Sequence, residues 1–218
     1  MKISRAVAIL AILALFAVAP GARAQEAGGS QKKASSTRST FPLFVNPTVL
    51  NCVSGSGHNQ PSATVTVVKG KLNDTLTIKL RHFKPKLGFD LFTVQNSNLD
   101  SNGALDGSFV NFGLAWYQSD IEVNSAGNAT VKIQTILVNQ IFGFDPAASL
   151  TPTNTFHVGF WFDDPNDAVA CGFNAGSPTP FNGTHNAGPV AFISVPDAST
   201  TLGPLCLSPS STPGLCNP

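Results

Sequence analysis

Between residues 155 and 162 the chain places Phe156, Val158, Phe160 and Phe162 at alternate positions, with His157, Gly159 and Trp161 between them. Only an extended strand sends such a set to one side. The same period of two recurs along the chain. Residues 63–68 alternate, and residues 72–83 set Leu76, Ile78 and Leu80 against Thr77, Lys79 and Arg81, with Lys69-Gly70-Lys71 as the turn between them. Residues 88–95 carry Phe89, Leu91 and Thr93 on one side and Asp90, Phe92 and Val94 on the other. Apolar groups on both sides suit a central strand covered on both faces.

Residues 115–136 read as a hairpin, in which Tyr117, Ile121 and Val123 point inward opposite Val131 and Ile133 around the turn Asn124-Ser125-Ala126-Gly127-Asn128. Residues 155–162 and 190–195 form a last pair, whereas the apolar run 138–144 fits a short helix or a bulged strand equally. Nineteen Gly, sixteen Pro and sixteen Phe against one Met, with 11% charged residues in 218, agree with short strands and turns. The expected fold is all-β, an immunoglobulin-like antiparallel β-sandwich of about seven or eight strands.

Lys2 and Arg5 precede an apolar run over residues 6–19, followed by Pro20, Gly21 and the small-x-small site Ala22-Arg23-Ala24. This is the pattern of a Sec-type signal peptide over residues 1–24. The run falls short of the roughly 20 apolar residues needed to span a bilayer, so no membrane span is expected in the mature form. A secreted or periplasmic destination follows. Residues 25–40, aperiodic and rich in Ser, Gly, Lys and Ala, read as a flexible leader, residues 41–198 as the sandwich domain, and residues 199–218 as an irregular disulfide-held tail. Cys52, Cys171, Cys206 and Cys216 form an even set, which in an export context implies two disulfides. The short Ser- and Pro-rich segment 207–215 makes Cys206–Cys216 the natural local loop and leaves Cys52 for Cys171.

Removing Lys2, Arg5 and Arg23 from the 13 basic residues leaves ten against 12 acidic ones, a net of about −2. That balance argues against nucleic acid as a partner. Nine of the ten bases precede residue 87 and ten of the twelve acids follow it. Because both halves of a sandwich feed both sheets, interleaved surface charge is expected.

The stretches over residues 156–171, beginning Phe156-His157-Val158-Gly159-Phe160-Trp161-Phe162, and over residues 179–188, Thr179-Pro180-Phe181-Asn182-Gly183-Thr184-His185-Asn186-Ala187-Gly188, with Leu114-Ala115-Trp116-Tyr117-Gln118-Ser119-Asp120-Ile121, resemble a group of uncharacterised bacterial exported β-rich proteins. The resemblance implies an exported β-rich fold and transfers no catalytic residue.

Three constellations could carry chemistry. Trp116, Gln118, Asp120 and Glu122 share an outward face by parity, joined across the hairpin by Thr130, Lys132 and Gln134. An aromatic plate beside amides and carboxylates suits a sugar, whose C–H face the ring covers, although an ordinary solvent face has the same composition. His82, His157 and His185, with Asp163, could hold copper or zinc if the strands converge, though no two sit at a ligand spacing and a packed or surface histidine explains each. Asn98, Asp100, Asn102 and Asp106 around Gly103 mimic a calcium loop, but Phe109 stands where a bidentate Glu closes such a shell, and an Asn/Asp/Gly surface loop accounts for the pattern too. Hydrolase signatures such as Gly-x-Ser-x-Gly and phosphate-binding glycine loops are absent from the sequence. The expectation is therefore an exported non-catalytic binding or surface-interaction module without a cofactor, its partner a glycan, an envelope component or another exported protein. The alternative is a metal-dependent exported enzyme or copper/zinc protein using the three histidines.

Overall fold

The computed structural model describes residues 38–57, 59–134, 143–145, 150–153, 155–176 and 187–206. Its strands are β1 (Arg38–Val45), β2 (Ser62–Val68), β3 (Thr75–Arg81), β4 (Gly88–Val94), β5 (Ala115–Glu122), β6 (Ala129–Ile133), β7 (Gly143–Asp145), β8 (Leu150–Thr153), β9 (Thr155–Phe162), β10 (Val190–Ile193) and β11 (Leu205–Cys206). Eight of them pair antiparallel in one continuous sheet of order β5-β4-β9-β10-β1-β2-β3-β6; β11 joins the start of β9, and β7 and β8 pair separately. The all-β expectation holds. The strands form a single sheet that curls almost into a barrel.

The fold line is β1. Its first part, from Arg38 to Leu43, pairs with β2, while Phe44 and Val45 pair with Ile193 and Phe192 of β10. One layer thus holds β1, β2, β3 and β6, and the other β10, β9, β4 and β5. On the far side the outermost strands β5 and β6 are consecutive in the chain, so residues 123–128 bring the sheet edges together. The expected turn is present, with Gly127 N–H donating to Asn124 O at 3.0 Å, yet β5 pairs with β4 and β6 with β3. The 115–136 hairpin ladder is a misreading, and the neighbouring corner explains it. Phe83 N–H donates to Gly127 O at 3.0 Å, and Lys86 N–H to Val123 O at 3.0 Å, so the β5–β6 corner nests on the β3–β4 corner and each strand continues into a different layer. A Cβ at Gly127, where φ is 75°, would lie 2.5 Å from Phe83 O, so glycine is required at this approach.

The inner core follows the alternation read from the sequence. Leu76, Ile78 and Leu80 of β3 meet Phe156, Val158, Phe160 and Phe162 of β9, and all are buried. Phe160 and Phe192 stack with centroids 5.4 Å apart, and Phe83 meets Phe89 edge-on at 5.8 Å. Each such ring, fully withdrawn from water, contributes about 1.5–3 kcal/mol. A second cluster lies on the other side of β4 and β9, where residues 95–114 lay Leu99 and Phe112 over Phe92, Val94, Trp161 and Ile193. That excursion is why β4 and β9 are apolar on both faces.

Two short helices, Leu50–Val53 and Pro165–Cys171, close one end of the sheet. Asp164 caps the second by accepting from Asn166 N–H at 2.8 Å, and Gly172, at φ 89°, ends it in the left-handed region. Val49, Cys52, Val53 and Ala168 are buried there, and Cys52 is bonded to Cys171 with Cα atoms 6.1 Å apart, the pairing expected from the sequence. Cys216 and the expected second disulfide lie outside the described residues, as does residues 1–24, the expected signal peptide. At the edges of the expected domain, β1 begins at Arg38 and takes the last residues of the expected leader into the sheet, while β11 takes Leu205 and Cys206 from the expected tail. Among the described residues no helix is long and apolar enough to cross a membrane.

Surface charge is segregated, not interleaved. Arg38, Lys79, Arg81 and Lys132 share the outer face of the β1-β2-β3-β6 layer, whereas Asp90, Asp120 and Glu122 share an outward face of the other layer. The cause is topological: β1, β2 and β3 come from the base-rich first part of the chain and sit side by side, so sequence asymmetry becomes spatial asymmetry.

Candidate functional site

At the end of the sheet opposite the two helices, β4 and β10 stop and β9 begins. The segments that leave them, residues 95–111 and 196–203, stand on either side of a cleft of about 740 Å³. Its walls carry Gln95, Asp100, Asp106, Asn111 and Asp197, with half-buried Phe109 as the apolar element and His157, Thr153 and Thr155 buried behind them. The lining is rich in carboxylate, amide and hydroxyl groups.

His157 is held by the sheet. It sits opposite Val94 on β9, is 3% exposed, and places Nδ1 3.0 Å from the Ser194 carbonyl oxygen. A carbonyl only accepts, so Nδ1 carries the proton and Nε2 is left as an acceptor. Burial lowers the pKa of the ring from 6.5 to about 4, against the opposing hydrogen bond to Ser194, and the imidazole is neutral at pH 7. Ser194 Oγ also lies 3.1 Å from Nδ1, but this serine is 1% exposed and accepts from Val158 N–H at 3.1 Å. A hydroxyl so enclosed clamps β10 to β9 and has no access for nucleophilic attack.

The acids of the cleft spend one oxygen each on their own loops. Asp100 Oδ1 accepts from Asn102 N–H (2.8 Å) and Ala104 N–H (3.0 Å), and Asp106 Oδ1 from Ser108 N–H (2.8 Å) and Oγ (2.6 Å). Asp197 Oδ1 accepts from the backbone and hydroxyls of Ser199 and Thr200, which lowers its carboxyl to a pKa of about 2. The calcium-like pattern of Asn98, Asp100, Asn102 and Asp106 thus serves local turns. Asn98 Oδ1 is buried and has no hydrogen-bond partner. Among the described residues no three His, Cys, Asp or Glu side chains gather into a set able to hold a metal ion.

The histidines do not converge. His82 lies in the exposed corner before Gly88, its carbonyl accepting from Gly55 N–H at 3.1 Å, while His157 pairs with Val94 at the other end of β4. Six residues of strand, about 20 Å, separate the two ends. The expectation of one shared ion is corrected for this pair; His185 lies outside the described residues.

Trp116, Gln118, Asp120 and Glu122 do not share a face either. Leu91 pairs with Ser119 but Phe92 with Tyr117, so Gln118 is the extra residue of a β-bulge and parity reverses across it. Trp116, 39% exposed, turns its edge onto Phe156 at 5.0 Å, and Gln118 Nε2 donates to Thr93 Oγ1 at 3.1 Å. On the other face Tyr117, expected inward, is 53% exposed, meets Phe92 edge-on at 5.7 Å and donates its hydroxyl to Asp120 Oδ1 at 2.6 Å. That bond, then burial and the charges of Asp120, Asp90 and Asp163, push the phenol up to about 12. Thr130 and Lys132 follow β6 into the other layer, and Gln134 comes directly after it.

Comparison with protein-family models, with curated proteins and with solved structures gave no match in any of the three.

Proposed function

We propose that the protein is an exported, non-catalytic binding module, secreted or periplasmic, that takes a hydroxyl-rich ligand such as a glycan or another envelope component in the cleft between residues 95–111 and 196–203. The observation that carries the reading is the cleft itself, about 740 Å³ with amide, carboxylate and hydroxyl groups around one half-buried ring, Phe109. Such a mixture exchanges hydrogen bonds with hydroxyls and covers a C–H surface. Export is supported by the apolar segment after Lys2 and Arg5 and by the Cys52–Cys171 bond, which persists in an oxidising compartment. The non-catalytic reading is supported by the enclosure of Ser194. An immunoglobulin-like sandwich arrangement of the curled sheet belongs to the same proposal and is supported by its antiparallel strands and by the two layers that share β1.

The test is a glycan array probed with oxidised protein and with Ala198→Trp, which puts a ring into the cleft from an exposed wall position. Glycans retained by the native protein and lost from the variant support the reading. Equal retention by both, or no retained glycan at all, sinks it.

A further inference from the structure

We infer a second binding surface, distinct from the cleft: the outer face of the β1-β2-β3-β6 layer, which takes a carboxylate-bearing polysaccharide. Register fixes its members. Arg38 stands opposite Val68, Ser62 opposite Arg81, Thr64 opposite Lys79, Thr66 opposite Thr77, and Thr77 in turn opposite Lys132. The side chains of Arg38, Lys79, Arg81 and Lys132 are exposed, and a shallow groove of about 430 Å³ runs among Arg38, Thr64, Thr66, Lys79 and Arg81. No acidic residue occupies a position on this face among the described residues.

The chemistry selects the occupant. Arginine forks match carboxylates in two-point contacts, and lysines add point charges. Between the cations lie the hydroxyls of Thr64, Thr66, Thr77 and Thr130, with Thr40 Oγ1 3.0 Å from Thr66 Oγ1, which suit the hydroxyls of a sugar chain. No aromatic ring stands on the face to stack on a base, so a nucleic acid lacks its usual platform. With strands about 4.8 Å apart and residues about 3.4 Å apart along them, Arg38 and Arg81 stand roughly 22 Å from each other. A ligand that engages both is longer than a disaccharide. The spread of cations and hydroxyls over four strands suits an extended polymer over a compact anion.

The test is calorimetric titration of the native, oxidised protein with a short oligogalacturonate, its methyl ester, oligothymidylate and anionic phospholipid vesicles at two salt concentrations. Binding of the oligogalacturonate that weakens steeply with salt is expected. It should fall about tenfold or more in the triple variant Lys79→Gln, Arg81→Gln, Lys132→Gln, one factor of ten being the worth of a single charge-assisted contact. All three positions are exposed, so the thermal midpoint should stay put, and Lys84→Gln, away from the face, should bind like the native protein. Equal binding of the methyl ester, undiminished binding by the triple variant, tighter binding of oligothymidylate, or capture by vesicles without oligogalacturonate binding overturns the inference. Ala198→Trp separates this surface from the cleft: oligogalacturonate binding that survives in that variant while array glycans are lost places the two ligands on two surfaces, and its loss there overturns the second one.

Discussion

Tyr117 is the sole tyrosine of the chain, so absorbance at the phenolate band reports one group. Its ionisation is expected near 12 and not 10, and Asp120→Ala, which removes the acceptor and its negative charge, should bring the midpoint back toward 10. A midpoint unchanged by that substitution would show that the hydrogen bond is not what protects the phenol. His157 gives a second reading. The unfolded chain binds a proton at the ordinary 6.5 and the native ring only at about 4, so between these values the unfolded state holds more protons and stability falls as pH drops. Two and a half pKa units amount to about 3 kcal/mol, present above pH 6.5 and gone near pH 4. Denaturant titrations across that interval should show the slope in the native protein and its absence in His157→Gln. The sequence shows that His157 shares a side with Trp161; it does not show that Ser194, thirty-seven positions on, supplies the partner that fixes its tautomer. Nor does it reveal that Asp197 ties up the 197–200 turn and so builds a cleft wall, although an Asp two places before Ser199 and three before Thr200 is a recognisable turn signal.

Strands were legible to the extent that burial was one-sided or complete. β9 begins and ends where alternation places it, and β3 shows its Leu-Ile-Leu face in plain view, because the period of two is a direct print of a pleated backbone on a core. The bulge at Gln118 left no such print. One extra residue changes no composition, yet it sends Trp116 and Asp120 to opposite faces and dissolves the expected sugar plate. β1 escaped notice for a related reason: Arg38, Ser39 and Thr40 lie at the exposed start of the strand and resemble the polar segment before it. An expected outcome at this scale concerns the middle of β9. A Cβ at Gly159 would lie 3.0 Å from Ile193 Cγ1 and 3.1 Å from Phe192 O and Trp161 Cζ3, between two packed faces with little room to yield. Gly159→Ala should therefore destabilise the fold by about 1–3 kcal/mol, seen as a lower denaturant midpoint at unchanged slope. A neutral result would mean that β10 slides on β9 more freely than the packing suggests.

Across the whole molecule, the Cys52–Cys171 bond spans 119 positions and ties the helix after β1 to the helix after β9. Closing a loop of that length constrains the unfolded chain strongly, and replacing both cysteines by alanine should cost about 2–5 kcal/mol in urea unfolding. A loss well under 1 kcal/mol would show that the reduced chain already keeps these two ends together. Charge placement belongs to this scale too. The uneven distribution of bases along the chain was visible at once, but whether it mixes or separates depends on which strands are neighbours, and local pattern is silent on that.

β1 gives the molecule a temporal property. Its partner on one side is nearby in the chain, but on the other it is β10, where Phe44 meets Ile193. The curled sheet cannot shut along β1 until residue 193 has left the ribosome, and contacts of such long range form slowly. The pairings of β1 with β2, of β2 with β3 and of β4 with β5 are closed within the first 122 residues, so the β1–β10 seam forms after all of these.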